Sequence, residues 1–134
     1  ADKPNAMSCV LRIRDAHGVH ALLVGDIEAE QEHALLSMRE KLAADWLLVP
    51  HHGSNTSSTS AFLQAVSPHW AVVQAGYRNR YGHPRPEVMA RYVDANIAVV
   101  KTESCGAAIW HSAKPQEMHC ERELHPHYWH HKVP

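Results

Sequence analysis

Apolar residues fall along the chain in short β-rich runs and helically spaced sets, taken in turn. Ser8-Cys9-Val10-Leu11-Arg12-Ile13-Arg14 and Val19-His20-Ala21-Leu22-Leu23-Val24 read as two antiparallel strands, and Asp15-Ala16-His17-Gly18 between them has the composition of a hairpin turn. Over residues 28–42 the positions Ile27, Ala34, Leu35, Met38 and Leu42 recur at helical spacing. Acids occupy the first turn there, and Arg39 and Lys41 the last, so charge complements the helix dipole and predicts one helix. Trp46-Leu47-Leu48-Val49 is a wholly apolar strand that runs into a polar loop, residues 50–58. A short helix capped by Ser58 or Ser60 extends to Val66 and stops before Pro68, and residues 69–74 form another buried strand. A second polar loop (77–86), a helix (86–92) and two strands (97–101 and 106–111) follow. Periodicity ends after Ser112, which predicts a core over residues 1–112 and a tail over 113–134. The order of elements predicts a layered α/β architecture in which loops at strand ends carry function.

Composition narrows the function classes. A chain of 134 residues with 45% hydrophobic content suits one domain with its own core. Thirteen Lys and Arg against fourteen Asp and Glu leave a net charge of -1, so any contact with DNA is local rather than driven by the whole-molecule field. No run approaches the roughly 20 apolar residues of a membrane-spanning helix, and the first residues lack a signal-peptide pattern, so the fragment is expected to be soluble. Cys9, Cys105 and Cys120 are odd in number and far apart, which argues against a disulfide framework and for buried free thiols. Histidine is the unusual count, with thirteen residues, four of them between His125 and His131.

Two loops are chemically marked. Gly25-Asp26 places a carboxylate after an apolar strand, where its two oxygens can bridge cations; the plainer reading is a turn and helix cap. Pro50-His51-His52-Gly53-Ser54 places imidazoles, common zinc ligands, beside a glycine that allows close approach. On an extended segment adjacent histidines point in opposite directions, so one faces a shared centre while the other orients or packs. In the second loop, Tyr81-Gly82-His83-Pro84 is either a rigid turn or a site border, and Arg78, Arg80 and Arg85 are either solvated or phosphate-binding.

Four ordered blocks carry a family resemblance: Asn5-x-x-Ser8 with its strand, Leu22-Leu23-Val24-Gly25-Asp26-Ile27, Ala44-Asp45-Trp46-Leu47-Leu48-Val49-Pro50-His51-His52-Gly53-Ser54, and Gly76-Tyr77-Arg78-Asn79-Arg80-Tyr81-Gly82-His83-Pro84. Thr102-Glu103-Ser104-Cys105-Gly106 extends the match. The chain thereby resembles the C-terminal half of the metallo-β-lactamase-like domain of ComEC-type competence proteins. That resemblance implies an α/β fold, half of an αββα sandwich, with a mixed sheet and flanking helices. It implies a divalent metal, zinc or manganese, and phosphodiester hydrolysis of single-stranded DNA, with the remainder of the channel protein as partner. The parent would lie in the bacterial inner membrane with this domain on the periplasmic side. Residue by residue, it makes Asp26 and one of His51 and His52 metal ligands and places Asn79 and His83 in catalysis. Ser54, Asn55, Ser57, Ser58, Arg78 and Arg80 would border the substrate.

One departure bears on activity. The family's His-x-His-x-Asp-His signature precedes its Gly-Asp block, and residues 1–25 hold no such segment. Asp26 plus one histidine falls short of the about three protein ligands a hydrolytic metal needs, so the fragment alone is expected to be inactive. His125-Pro126-His127-Tyr128-Trp129-His130-His131 is the nearest imitation, read here as a mobile segment with adventitious metal affinity, held if at all by Tyr128 and Trp129. A half-sandwich would expose apolar residues of the strands 9–13, 22–24 and 46–49, inviting a homodimer of the fragment. A metal-free scaffold that contacts DNA or the channel, and a metallohydrolase of another substrate class such as a phosphorylcholine esterase or lactonase, remain as alternatives.

Overall fold

The computed structural model describes residues 3–130. Its centre is a five-stranded mixed sheet: β1 (Leu11–Arg14), β2 (His20–Leu23), β3 (Trp46–Leu48), β4 (Trp70–Val73) and β5 (Ala98–Lys101), side by side in chain order. The β1–β2 pair is the expected antiparallel hairpin, and the other pairs are parallel. Parallel neighbours need crossovers, and helices fill them: α1 (Ala29–Leu35), α2 (Ser60–Val66) and α3 (Pro86–Asp94). Thr59, rather than Ser58 or Ser60, caps α2, its side chain accepting from the Phe62 amide.

The expected helix over 28–42 is shorter than its periodicity suggests. It starts as read, with the Gln31 side chain accepting from the Glu28 amide, but α1 ends at Leu35 and a 3₁₀ stretch, Leu36–Lys41, follows with a break at Met38. The Ser37 hydroxyl donates to the Ala34 carbonyl, the acceptor that a continuous helix would give to the Met38 amide.

Strand alternation decides what is buried. Leu22, Leu47, Ala71 and Val73 share one face with Val24 and Val49 at its ends, and pack against Ile27, Phe62, Leu63, Val66, Val88 and Tyr92 from the helices and their connections. Register places Leu11 opposite Leu23, Ala21 opposite Trp46, Trp46 opposite Trp70, and Leu48 opposite Val72 on the other face. Leu11 and Ile13 are 55% and 50% exposed there. The expectation of exposed strand residues thus holds for β1 but not for Leu22, Val24 or Leu47, which the helices cover.

Part of that second face is covered by the segment after β5. A short helix α4 (Thr102–Cys105) leads into β6 (Ala108–Ile109), which pairs antiparallel with β7 (His119–Cys120), and α5 (Glu121–Leu124) follows. The Trp110 ring stacks on Trp46 with centroids 6.1 Å apart, and the Trp70 indole donates to the Gln116 carbonyl. Three expectations are corrected. The strand at 106–111 is two residues long and lies in its own small sheet. Cys105 and Cys120 form a disulfide, and Cys9 is an exposed free thiol rather than a buried one. Spacing alone hides this pairing, because α4 and the hairpin fold residues 15 apart in sequence back onto one another. Tyr128 and Trp129 do not anchor the tail, being 96% and 64% exposed; the disulfide and the Arg122 bond to the Glu103 carbonyl do.

The bridge closes a 15-residue loop, and chain-entropy arguments give such a loop about 3 kcal/mol. Reducing it, or replacing Cys120 by Ser, should lower stability by about that amount in urea unfolding. No change on reduction would show that the packing of Trp110 and Trp70 alone holds the segment.

Candidate functional site

Side chains capable of chemistry gather where the parallel strands end. In open α/β sheets ligands bind outside the carboxyl ends of such strands, because the connecting loops converge there. Asp26 follows β2, His51 and His52 follow β3, and the 74–85 segment follows β4.

Gly25 makes the first turn possible. Its φ is +59°, and an added Cβ would meet the Ser8 side chain at 3.2 Å. The Ser8 hydroxyl accepts from the Asp26 amide, which leaves the Asp26 carboxylate free of fold-forming bonds among the described residues. The Gly25 carbonyl in turn accepts from the His51 amide, tying the two turns together.

The His-His segment is not extended. His51 and His52 both adopt left-handed backbone, φ +48° and +55°, a conformation that costs non-glycine residues energy and concentrates at functional sites. Two successive left-handed residues remove the alternation on which opposite ring directions were expected. His52 Nε2 lies 3.5 Å from Asp26 Oδ1, and its Nδ1 is 2.7 Å from the Gln74 carbonyl. A carbonyl only accepts, so Nδ1 carries a hydrogen, and Nε2 is the nitrogen that faces the carboxylate. A proton on Nε2, or a cation between the two groups, would make this contact attractive. A ring that donates one N–H to a carbonyl while the other nitrogen faces a site is the usual disposition of a metal-binding histidine. Asp26 and His52 are about half exposed, so the gap is open to solvent.

His51 has different neighbours. Its Nδ1 is 3.3 Å from Thr56 Oγ1 and 4.0 Å from Glu28 Oε1, and its ring lies 5.9 Å from that of His83. Burial, then the charges of His51, Arg85 and His52, hold the His83 pKa below the ordinary histidine value against the opposing pull of Asp26. The neutral ring is thereby favoured, which suits donation of an N–H to a phosphate oxygen better than delivery of a proton.

The 76–85 loop is stiffened from within. The Asn79 amide nitrogen donates to the carbonyls of Gly76 and His83, and its oxygen accepts from the His83 amide. Asn79 thus has both ends of its amide engaged in holding His83. Arg80 lies over the Tyr81 ring and Arg78 over Tyr77. The loop seats on Gly53, where an added Cβ would come within 2.5 Å of Pro84 Cβ, and φ is +81°. Gly53→Ala should therefore push the His83–Pro84 corner away from the histidines and cost about 2–4 kcal/mol. A Tm within a degree of the parent would contradict this.

In the 54–58 loop, Ser54, Ser57 and Ser58 are buried and Asn55 is exposed. Their hydroxyls have protein partners: Ser54 with Thr56, Ser57 with the Ile27 carbonyl, Ser58 with the Tyr92 hydroxyl. The anchor beneath them is Glu32, fully buried, whose carboxylate accepts from the Ser58 and Thr59 amides. Sequence reasoning counted the acids here only as first-turn charge and did not single out Glu32. Its signal was a gap in the apolar stripe, one turn after Ile27, filled by Gln31 and Glu32.

Among the described residues no three His, Cys, Asp or Glu side chains form a complete cation site. Asp26 and His52 fit part of a metal centre and not the whole of one. The tail does not complete it: His125 engages Glu121, and His127 stacks on Trp129. His131 lies outside the described residues.

Over 104 residues, 77% of its length, the chain is 41% identical to Competence protein ComA of Neisseria gonorrhoeae. It is 36% identical over 89 residues, 66% of its length, to ComE operon protein 3 of Bacillus subtilis. It is also 35% identical over 102 residues, 76% of its length, to Recombination protein 2 of Haemophilus influenzae. The chain is similar to a segment of competence proteins. It spans 15%, 12% and 13% of the lengths of these three curated relatives, so it corresponds to a small part of each. No protein-family model matches it. Among the described residues no helix is long and apolar enough to cross a membrane.

Proposed function

We propose that this chain is the C-terminal half of a metallo-β-lactamase-type, metal-dependent phosphodiesterase within a competence protein, and that it acts on single-stranded DNA during uptake. The observation that carries the reading is the Asp26–His52 pair, with Nε2 and Oδ1 3.5 Å apart at the ends of two parallel strands. In this reading Asp26 and His52 contribute ligands to a zinc or manganese centre whose other ligands come from the rest of the protein. A bound divalent ion supplies Lewis acidity and an activated water. This chain's own part is to hold Asp26 and His52 on converging turns, to set His83 beside them as a neutral donor, and to offer Arg78 and Arg80 to phosphates.

Three further features support it. The exposed Leu11 and Ile13 side of the sheet is a surface that the other layer of a sandwich would cover. The Cys105–Cys120 bridge suits an oxidising compartment, in keeping with the periplasmic side of the inner membrane. Relatives named for competence fit a place in a DNA-uptake channel.

A protein in which this chain is continued to the length of its relatives should cleave single-stranded DNA with added manganese or zinc and stop in chelator. Absence of cleavage with any divalent ion would refute the hydrolase. The incomplete ligand set favours one second reading, a metal-free scaffold that contacts DNA or the channel. DNA affinity unchanged by chelator, without cleavage, would select it.

A further inference from the structure

Beside the Asp26–His52 pair, an open cavity of about 290 Å³ is bounded by His52, Gln74, Gly76, Asn79, Tyr81 and His83. Its size is at the small end of ligand pockets, which begin at roughly 300 Å³. Tyr81 lines it and is 57% exposed. The ring is held: it stacks on His83 with centroids 5.8 Å apart and planes 28° apart, and the Arg80 guanidinium lies 4.8 Å from its centroid. The loop beneath is braced by the Asn79 bonds to Gly76 and His83. An exposed aromatic ring braced by an arginine that lies over it and donates to its hydroxyl combines the stacking and cation–π elements with which proteins take up an unpaired base and its phosphate without reading sequence.

We propose that Tyr81, with Arg80, is a base-stacking subsite that accepts one unpaired nucleobase of a DNA strand while the neighbouring phosphate lies toward Asp26 and His52. The inference rests on the phosphodiesterase reading for its substrate and adds to it the reason a single strand is chosen. In a duplex the bases stack on one another and offer no free face to Tyr81. Charge is complementary, since Arg78 and Arg80 stand on the same loop and no acid lies between residues 75 and 86.

The test measures binding apart from cleavage. In chelator, the full chain is titrated with a single-stranded oligonucleotide carrying 2-aminopurine, with an abasic strand of the same length and charge, and with a duplex. The base-bearing strand should bind on the order of tenfold more tightly than the abasic one, with quenching of 2-aminopurine, and the duplex should show no such quenching. Tyr81→Ala should erase the preference, whereas Tyr81→Phe and Tyr81→Trp should keep it. Equal binding of base-bearing and abasic strands, or a preference that survives Tyr81→Ala, overturns the proposal. Cleavage by the longer protein without base preference would sink this subsite alone, and base preference without metal-dependent cleavage would sink the hydrolase alone.

Discussion

Replacing Asp26 by Ala in the longer protein should lower metal-dependent cleavage of single-stranded DNA by at least about a hundredfold. The expectation comes from geometry: the Asp26 carboxylate faces His52 Nε2 and makes no bond that holds the fold among the described residues, while its amide, bonded to Ser8, survives the substitution. Stability should therefore stay within about 0.5 kcal/mol of the parent. Asp26→Asn keeps the shape but loses the charge, and should also bind the metal weakly. His52→Ala should behave like Asp26→Ala, and the double variant should lose little more than either alone, since two ligands of one ion act as a unit. Cleavage undiminished in Asp26→Ala would place the chemistry elsewhere.

The second large effect lies beneath the site. Glu32→Ala strands the buried amides of Ser58 and Thr59, and leaving two such donors unsatisfied should cost about 2–4 kcal/mol in denaturant unfolding. Glu32→Gln keeps one acceptor oxygen but turns an NH₂ group toward the other amide, so an intermediate loss is expected. Burial raises the Glu32 pKa above its ordinary 4.5, against the hydrogen bonds from Thr59 and Ser58 and the charge of Arg91. A raised folded-state pKa favours the protonated form, so the stability linked to it is complete below the unfolded value. It is lost as pH rises through the folded one. The gap between the parent and Glu32→Gln should accordingly narrow from mildly acidic toward neutral solution. A gap that widens over that range would show the carboxylate to be ionised in the fold.

Much of the architecture was legible because the chain obeys simple periodicities. The β1–β2 hairpin, the apolar strands ending at Val49 and near Gln74, and the turns at Gly25 and Gly53 all follow from local pattern. What escaped depended on partners distant in sequence. The disulfide needed the fold of the segment after β5, whereas the break at Met38 goes with a local bond, from the Ser37 hydroxyl to the Ala34 carbonyl. Glu32 reads as a surface acid until the 58–59 amides are seen above it.

The candidate site divides along the same line. Its residue types were visible as Gly-Asp, His-His-Gly and Tyr-Gly-His-Pro, since glycine and histidine in short loops mark chemistry. Which imidazole faces Asp26 was not, because consecutive left-handed residues cannot be read from a propensity and reverse the simple alternation rule. His52 is the one, and His51 turns to Thr56 and His83.

Anomalous diffraction from manganese-soaked crystals of the longer protein is the most direct measurement. The account predicts a peak within about 2.0–2.3 Å of both an Asp26 carboxylate oxygen and His52 Nε2, with His52 Nδ1 still on the Gln74 carbonyl. A peak confined to the histidines of the 125–131 run, with none between Asp26 and His52, would contradict it.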